Sequence, residues 1–95
     1  MKFRRTPQFR EDYRCLSDED QLAVDEAFGS VTQALQGDVD AFRRHRLRRM
    51  EGAPGIWEGH VRHNLCFTFH YDYAEGGEKI CMFRRVGTHD IYHKP

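Results

Sequence analysis

Leu65-Cys66-Phe67-Thr68-Phe69-His70-Tyr71-Asp72-Tyr73 is the stretch that decides the fold. Leu65, Phe67, Phe69, Tyr71 and Tyr73 alternate with Cys66, Thr68, His70 and Asp72. A period of two sends successive side chains to opposite sides of a strand, so one face is aromatic and buried and the other polar. Upstream, Trp57 and Val61 alternate with Glu58, His60 and Arg62. Downstream, Glu75-Gly76-Gly77-Glu78 reads as a hairpin turn, and Lys79 to Val86 as the last strand. Tight connections make these three strands an antiparallel meander.

The aromatic face needs a cover, and the first half of the chain supplies it. Residues 2–6 are a short strand ended by Pro7, and Gln8 to Leu16 form a helix with Phe9, Tyr13 and Leu16 on one side. Ser17 caps a second helix, and Asp18, Glu19 and Asp20 in its first turn complement the helix dipole. Val24, Ala27, Phe28, Val31, Ala34 and Leu35 form its apolar stripe, and Gly37 stops it. Asp38 caps a short third helical turn through Arg43. The fold class is α+β: a small single domain over residues 1–95, with an N-terminal strand, two main helices, then the three-strand meander. With the helices on the aromatic face, the opposite face is expected to be bare and to carry His60, Arg62, Cys66, Thr68 and His70.

Composition narrows the function. A chain of 95 residues buries roughly two-thirds of its extended surface, enough for one core and a surface cleft. Net charge is zero, which argues against a freely basic nucleic-acid binder. The zero hides an asymmetry. Residues 11–40 carry nine acids against Arg14, whereas residues 41–50 carry Arg43, Arg44, Arg46, Arg48 and Arg49 and no acid. The second block suits phosphate contact. Three cysteines, no apolar leader and no membrane-length segment point to the reducing cytoplasm.

The chemistry collects around the end of the last strand, Arg84-Arg85-Val86-Gly87-Thr88-His89-Asp90-Ile91-Tyr92-His93. Arginine grips phosphate oxygens, and histidine exchanges protons near neutral pH. Scission of RNA needs a base for the 2′-hydroxyl, a cation for the phosphorane and an acid for the leaving 5′-oxygen. His45, His60, Arg62, Arg85 and His89 are sufficient in kind if they meet on one rim. No metal is assigned. His60, His63 and Cys66 have ligand-like spacing, but on a strand His63 points away from His60, and Cys66 lies beyond a turn near Asn64. A Cys66–His70 nucleophile lacks an oxyanion loop.

Three local patterns then carry a resemblance: His45-Arg46-Leu47 before a glycine-containing loop, Trp57-Glu58-Gly59-His60-Val61, and Phe83-Arg84-Arg85-Val86-Gly87-Thr88-His89. With the size and element order, they make the chain resemble the RelE/ParE toxin superfamily of type II toxin–antitoxin systems, closest to the RelE and YafQ-like mRNA interferases. The resemblance implies metal-independent, cofactor-free cleavage of mRNA in the ribosome. It implies His60 or His45 as base, Arg85 against the phosphorane and His89 as acid. It also implies a cognate antitoxin as partner, and RNA contacts from Arg43, Arg44, Arg46, Arg48, Arg49, Arg62, Tyr92 and His93. Asn64 stands where an aspartate is common in that branch, and Leu65 where a tryptophan is common. Two other readings follow from the same superfamily: a ParE-like gyrase inhibitor, which does not need the histidines, and a weakened member that only binds.

Overall fold

Thr6, Ser17 and Asp38 start the three helices, each side chain accepting from the backbone N–H three residues on. This capping satisfies an otherwise orphaned donor and is typically worth about 1 kcal/mol. The computed structural model describes all residues, 1–95. Strand β1 (Lys2–Arg5) leads into helix α1 (Pro7–Cys15), with Pro7 both ending the strand and opening the helix. Helices α2 (Asp18–Ala34) and α3 (Val39–Arg44) follow. Strands β2 (Arg48–Arg49), β3 (Trp57–Arg62), β4 (Leu65–Tyr73) and β5 (Lys79–Gly87) complete the sheet, and a 3₁₀ turn spans His89–His93.

The expected class is observed, the short third helix capped by Asp38 included, with the two-residue β2 added. The sheet order is β1-β5-β4-β3-β2. The meander is antiparallel throughout, whereas β1 pairs parallel with β5, Phe3 beside Cys81. The helices cover the aromatic face. Phe9, Val24, Phe28 and Val31 pack on Leu65, Phe67, Phe69 and Phe83, and the Phe28 and Phe83 rings lie 4.6 Å apart. Each such side chain contributes about 1.5–3 kcal/mol by leaving water. Gly59 makes the closest approach. A Cβ there would sit 2.3 Å from Phe67 Cζ and 2.6 Å from Leu47 Cδ2, so only hydrogen fits.

Two irregularities reshape the outer face. The β3–β4 register shifts between His60 and Arg62, so His60 faces Cys66 while Arg62 pairs with Leu65. The shift turns Arg62 to the helix side, where it bonds Asp20 and Glu19 of α2. His60 and Arg62 therefore leave the strand on different faces, because simple alternation fails at a bulge, and meet only where the Arg62 side chain borders the cavity at the strand end. A second shift between Thr68 and Phe69 leaves Arg84 without a partner residue in the register.

The outer face is not bare either. Gly87 ends β5, Thr88 accepts from Asp90 N–H, and the turn that follows packs on β4 and β5. Thr68 Oγ1 and Arg84 Nε both donate to the Pro95 carbonyl, at 2.9 and 3.0 Å. Cys66 and Thr68 are fully buried beneath this strap. The apolar pair Ile91-Tyr92, embedded in a polar tail, drives the docking, and Ile91 is buried.

Candidate active site

His60 is held by its own backbone. Its N–H donates to the His45 carbonyl at 2.7 Å, and the His45 ring donates Nδ1–H to the His60 carbonyl at 2.9 Å. A carbonyl only accepts, so His45 Nδ1 carries the proton. His45 Nε2 lies 3.0 Å from Ser30 Oγ, a hydroxyl able to donate to the ring nitrogen or accept from it. His45 is buried with both nitrogens engaged. It positions His60 rather than reaching a substrate.

His60 then meets His89. The ring centroids are 5.9 Å apart and tilted by 58°. Asn64 occupies the β3–β4 turn in the left-handed region, φ 55°, which asparagine tolerates. From there its Oδ1 accepts His89 Nδ1–H at 2.9 Å, leaving Nε2 for chemistry. Tyr92 packs edge-on against His89 at 5.5 Å. The two imidazoles open into a cavity of about 300 Å³ walled by Asn64, His63 and the arginines Arg44, Arg46 and Arg62. Burial pulls the His60 pKa below the ordinary histidine value, and the charges of Arg46 and Arg48 act the same way against an opposing Glu58. His60 is thereby biased toward its neutral form.

Arg85 is elsewhere. Its Nε and Nη2 donate to Asp12 of α1 at 2.7 and 3.2 Å, and its Nη1 to the Lys94 carbonyl at 3.0 Å. Strand β4 lies between β5 and the strand that carries His60. Arg85 lines a separate hollow with Thr6, Gln8, Arg84, Lys94 and Pro95. Burial alone would raise the Asp12 pKa. Hydrogen bonds from Arg85, Gln8 and Val86 N–H, with the Arg85 charge, bring it net below the usual carboxylate value. Of the four residues expected to act together, His60 and His89 meet, His45 supports from below, and Arg85 braces β5 against α1.

The basic block divides similarly. Arg43, Arg44 and Arg46 are exposed, and Arg44 and Arg46, the latter at φ 51°, line the cavity. Arg48 is paired with Glu58 at 2.6 Å, and Arg49 lies over the Trp57 ring at 5.4 Å. His93 is exposed, whereas Tyr92 is half-buried with its hydroxyl turned inward. Leu65 belongs to the core.

Asn64, in the sequence only a departure from the common pattern, orients His89. Asp12 and Ser30 escape a reading of the sequence, because nothing in their local pattern separates them from other surface polar residues. Cys66 lies beyond the turn at Asn64 as expected, but the hairpin made by that turn brings it directly opposite His60, Sγ to Nδ1 3.6 Å. Burial raises its thiol pKa, which removes the thiolate a nucleophile needs.

No protein-family model matches the chain, and no curated protein matches it in sequence. Solved structures do match in fold. YafQ from E. coli strain BL21(DE3) superposes with a TM-score of 0.67 at 15% identity, covering 96% of both chains. A copper-bound mutant toxin from Helicobacter pylori gives 0.64 at 14%, covering 95% of this chain and 96% of the other. A YoeB/ParE toxin from Agrobacterium tumefaciens gives 0.59 at 14%, covering 94% and 99%. YafQ matches again within the E. coli DinJ–YafQ toxin–antitoxin complex, with a TM-score of 0.55 at 14% identity, covering 94% and 92%. Over nearly its whole length, then, this chain has the RelE/YafQ toxin fold.

Proposed function

We propose that the protein is the toxin of a type II toxin–antitoxin pair and cleaves mRNA on the ribosome without a metal. One observation carries the reading: two imidazoles face each other at 5.9 Å in an arginine-walled cavity of about 300 Å³. His60, biased toward its neutral form by burial, takes the proton of the 2′-hydroxyl through Nε2, in the tautomer with Nδ1–H toward Cys66. The 2′-oxygen bonds to phosphorus, and Arg46, aided by Arg44, meets the charge gathering on the phosphorane. The bond from phosphorus to the 5′-oxygen breaks, and His89 as imidazolium gives that oxygen a proton. The products are a 2′,3′-cyclic phosphate and a 5′-hydroxyl. Arg43, Arg44 and Arg46 contact ribosomal RNA backbone, a salt-sensitive interaction. The partners are the ribosome with its mRNA, and a cognate antitoxin by analogy with the fold neighbour paired with DinJ. No helix is long and apolar enough to cross a membrane.

Incubation with translating ribosomes, followed by mapping of mRNA 5′-ends, tests the reading. His60→Gln and His89→Gln are each expected to lower cleavage by about 10²–10⁴, the usual worth of one proton-transfer group. Cleavage that survives both substitutions, or toxicity that persists through gyrase, refutes it.

A further inference from the structure

His60, Cys66 and His89 each offer one ligand atom, and the three atoms lie within 4.8 Å of one another. We propose that these residues form a binding site for a single zinc ion, and that the ion silences the cavity by occupying both histidines.

The geometry is close to what zinc requires. Bonds of about 2.3 Å to sulfur and about 2.1 Å to nitrogen at a tetrahedral angle place the two donors about 3.6 Å apart. Cys66 Sγ and His60 Nδ1 are separated by 3.6 Å. Both are fixed by facing strands, β4 and β3. His89 is exposed on the 3₁₀ turn, and its ligand nitrogen already lies within 4.8 Å of the other two donors. The fourth position opens to the cavity and takes water.

Two further features point the same way. Asn64 accepts the His89 Nδ1–H, the outer hydrogen bond that ordinarily orients a metal-bound imidazole. The Tyr92 hydroxyl is buried beside Cys66 with no partner of normal geometry. On binding, Cys66 loses its S–H proton to solvent as the sulfur–zinc bond forms, and the resulting thiolate accepts the orphaned O–H. Arg44 and Arg46 repel the ion and limit its affinity, which suits a reversible block rather than a structural site.

Metal binding is independent of the nuclease reading, whereas the silencing rests on it. Calorimetry of the full chain with Zn²⁺ and absorption spectra with Co²⁺ read the first. One ion per chain is expected, with one proton released and a sulfur-to-cobalt charge-transfer band. Cys66→Ser abolishes the band, while Cys15→Ser and Cys81→Ser keep it. His89→Ala, at an exposed position, weakens zinc about 100-fold, and Asn64→Ala about 10-fold. Absence of saturable binding, or a band unaffected by both Cys66→Ser and His89→Ala, overturns the site. In the ribosome assay, zinc stops cleavage by the parent protein and a chelator restores it. Saturable binding with cleavage unchanged overturns the silencing alone. A parent protein that never cleaves overturns the nuclease reading and, with it, the silencing, but leaves the zinc site standing.

Discussion

Replacing Arg85 with alanine separates bracing from catalysis. In the fold, Arg85 makes two hydrogen bonds to Asp12, whose Oδ2 also accepts Val86 N–H at 3.2 Å. The Asp12 side chain is 11% exposed and that of Arg85 24%. Breaking a fully buried pair costs about 3–5 kcal/mol, and the partial access of Arg85 to water lowers this to roughly 2–3 kcal/mol. A domain of this length has a stability of about 5–15 kcal/mol. Each kcal/mol moves its Tm by about 4–8 °C, so a fall of roughly 10–20 °C is expected. Asp12→Ala produces a similar drop, and the double variant little more, because either change removes the same pair. The assay is thermal unfolding beside ribosomal cleavage measured well below each Tm. Cleavage per folded molecule should fall less than about tenfold in Arg85→Ala. A variant that keeps the parent Tm while losing a hundredfold or more in cleavage refutes the assignment and returns Arg85 to the reacting phosphate.

Gly29→Ala in α2 adds a methyl to open space, so it is expected to stabilise the protein by about 1 kcal/mol in chemical denaturation. Gly59→Ala drives its Cβ into Phe67 and Leu47 and should cost about 1–3 kcal/mol or more, with cleavage falling as His60 shifts. The lowered Asp12 pKa gives stability that is fully present above the ordinary carboxylate value of about 3.9 and lost as pH falls through the folded value; Asp12→Asn should flatten that acid limb in pH-dependent melting. The lowered His60 pKa keeps the base deprotonated further into acid, so the acidic midpoint of the cleavage-rate profile should fall below about 6.5.

Strand β4 was legible because its nine residues alternate without a break, and the caps Ser17 and Asp38 were legible because capping is local. His60 and His89 stood out as proton carriers next to strand ends. The rest depended on events that leave no local trace. A single-residue bulge after His60 sent Arg62 to the helices, and alternation cannot announce its own interruption. The buried state of His45 follows from contacts with Ser30 and His60, each 15 residues away. Arg85 and Asp12 are 73 residues apart, so only the packed fold reveals that the arginine already has a carboxylate. Strap formation over Cys66 likewise turns on Ile91 and Tyr92, two apolar residues in a tail too short for periodicity.

The parallel pairing of β1 with β5 puts Lys2 beside Ile80 and Arg5 beside Phe83. During synthesis the first strand must therefore wait, edge unpaired, until β5 has emerged. Closing so long a loop is slow and leaves little to gain from early partial structure. His89 emerges later still, after the strand that completes the sheet. Under the proposed activity, the nascent chain therefore holds no assembled cavity until the sheet has closed.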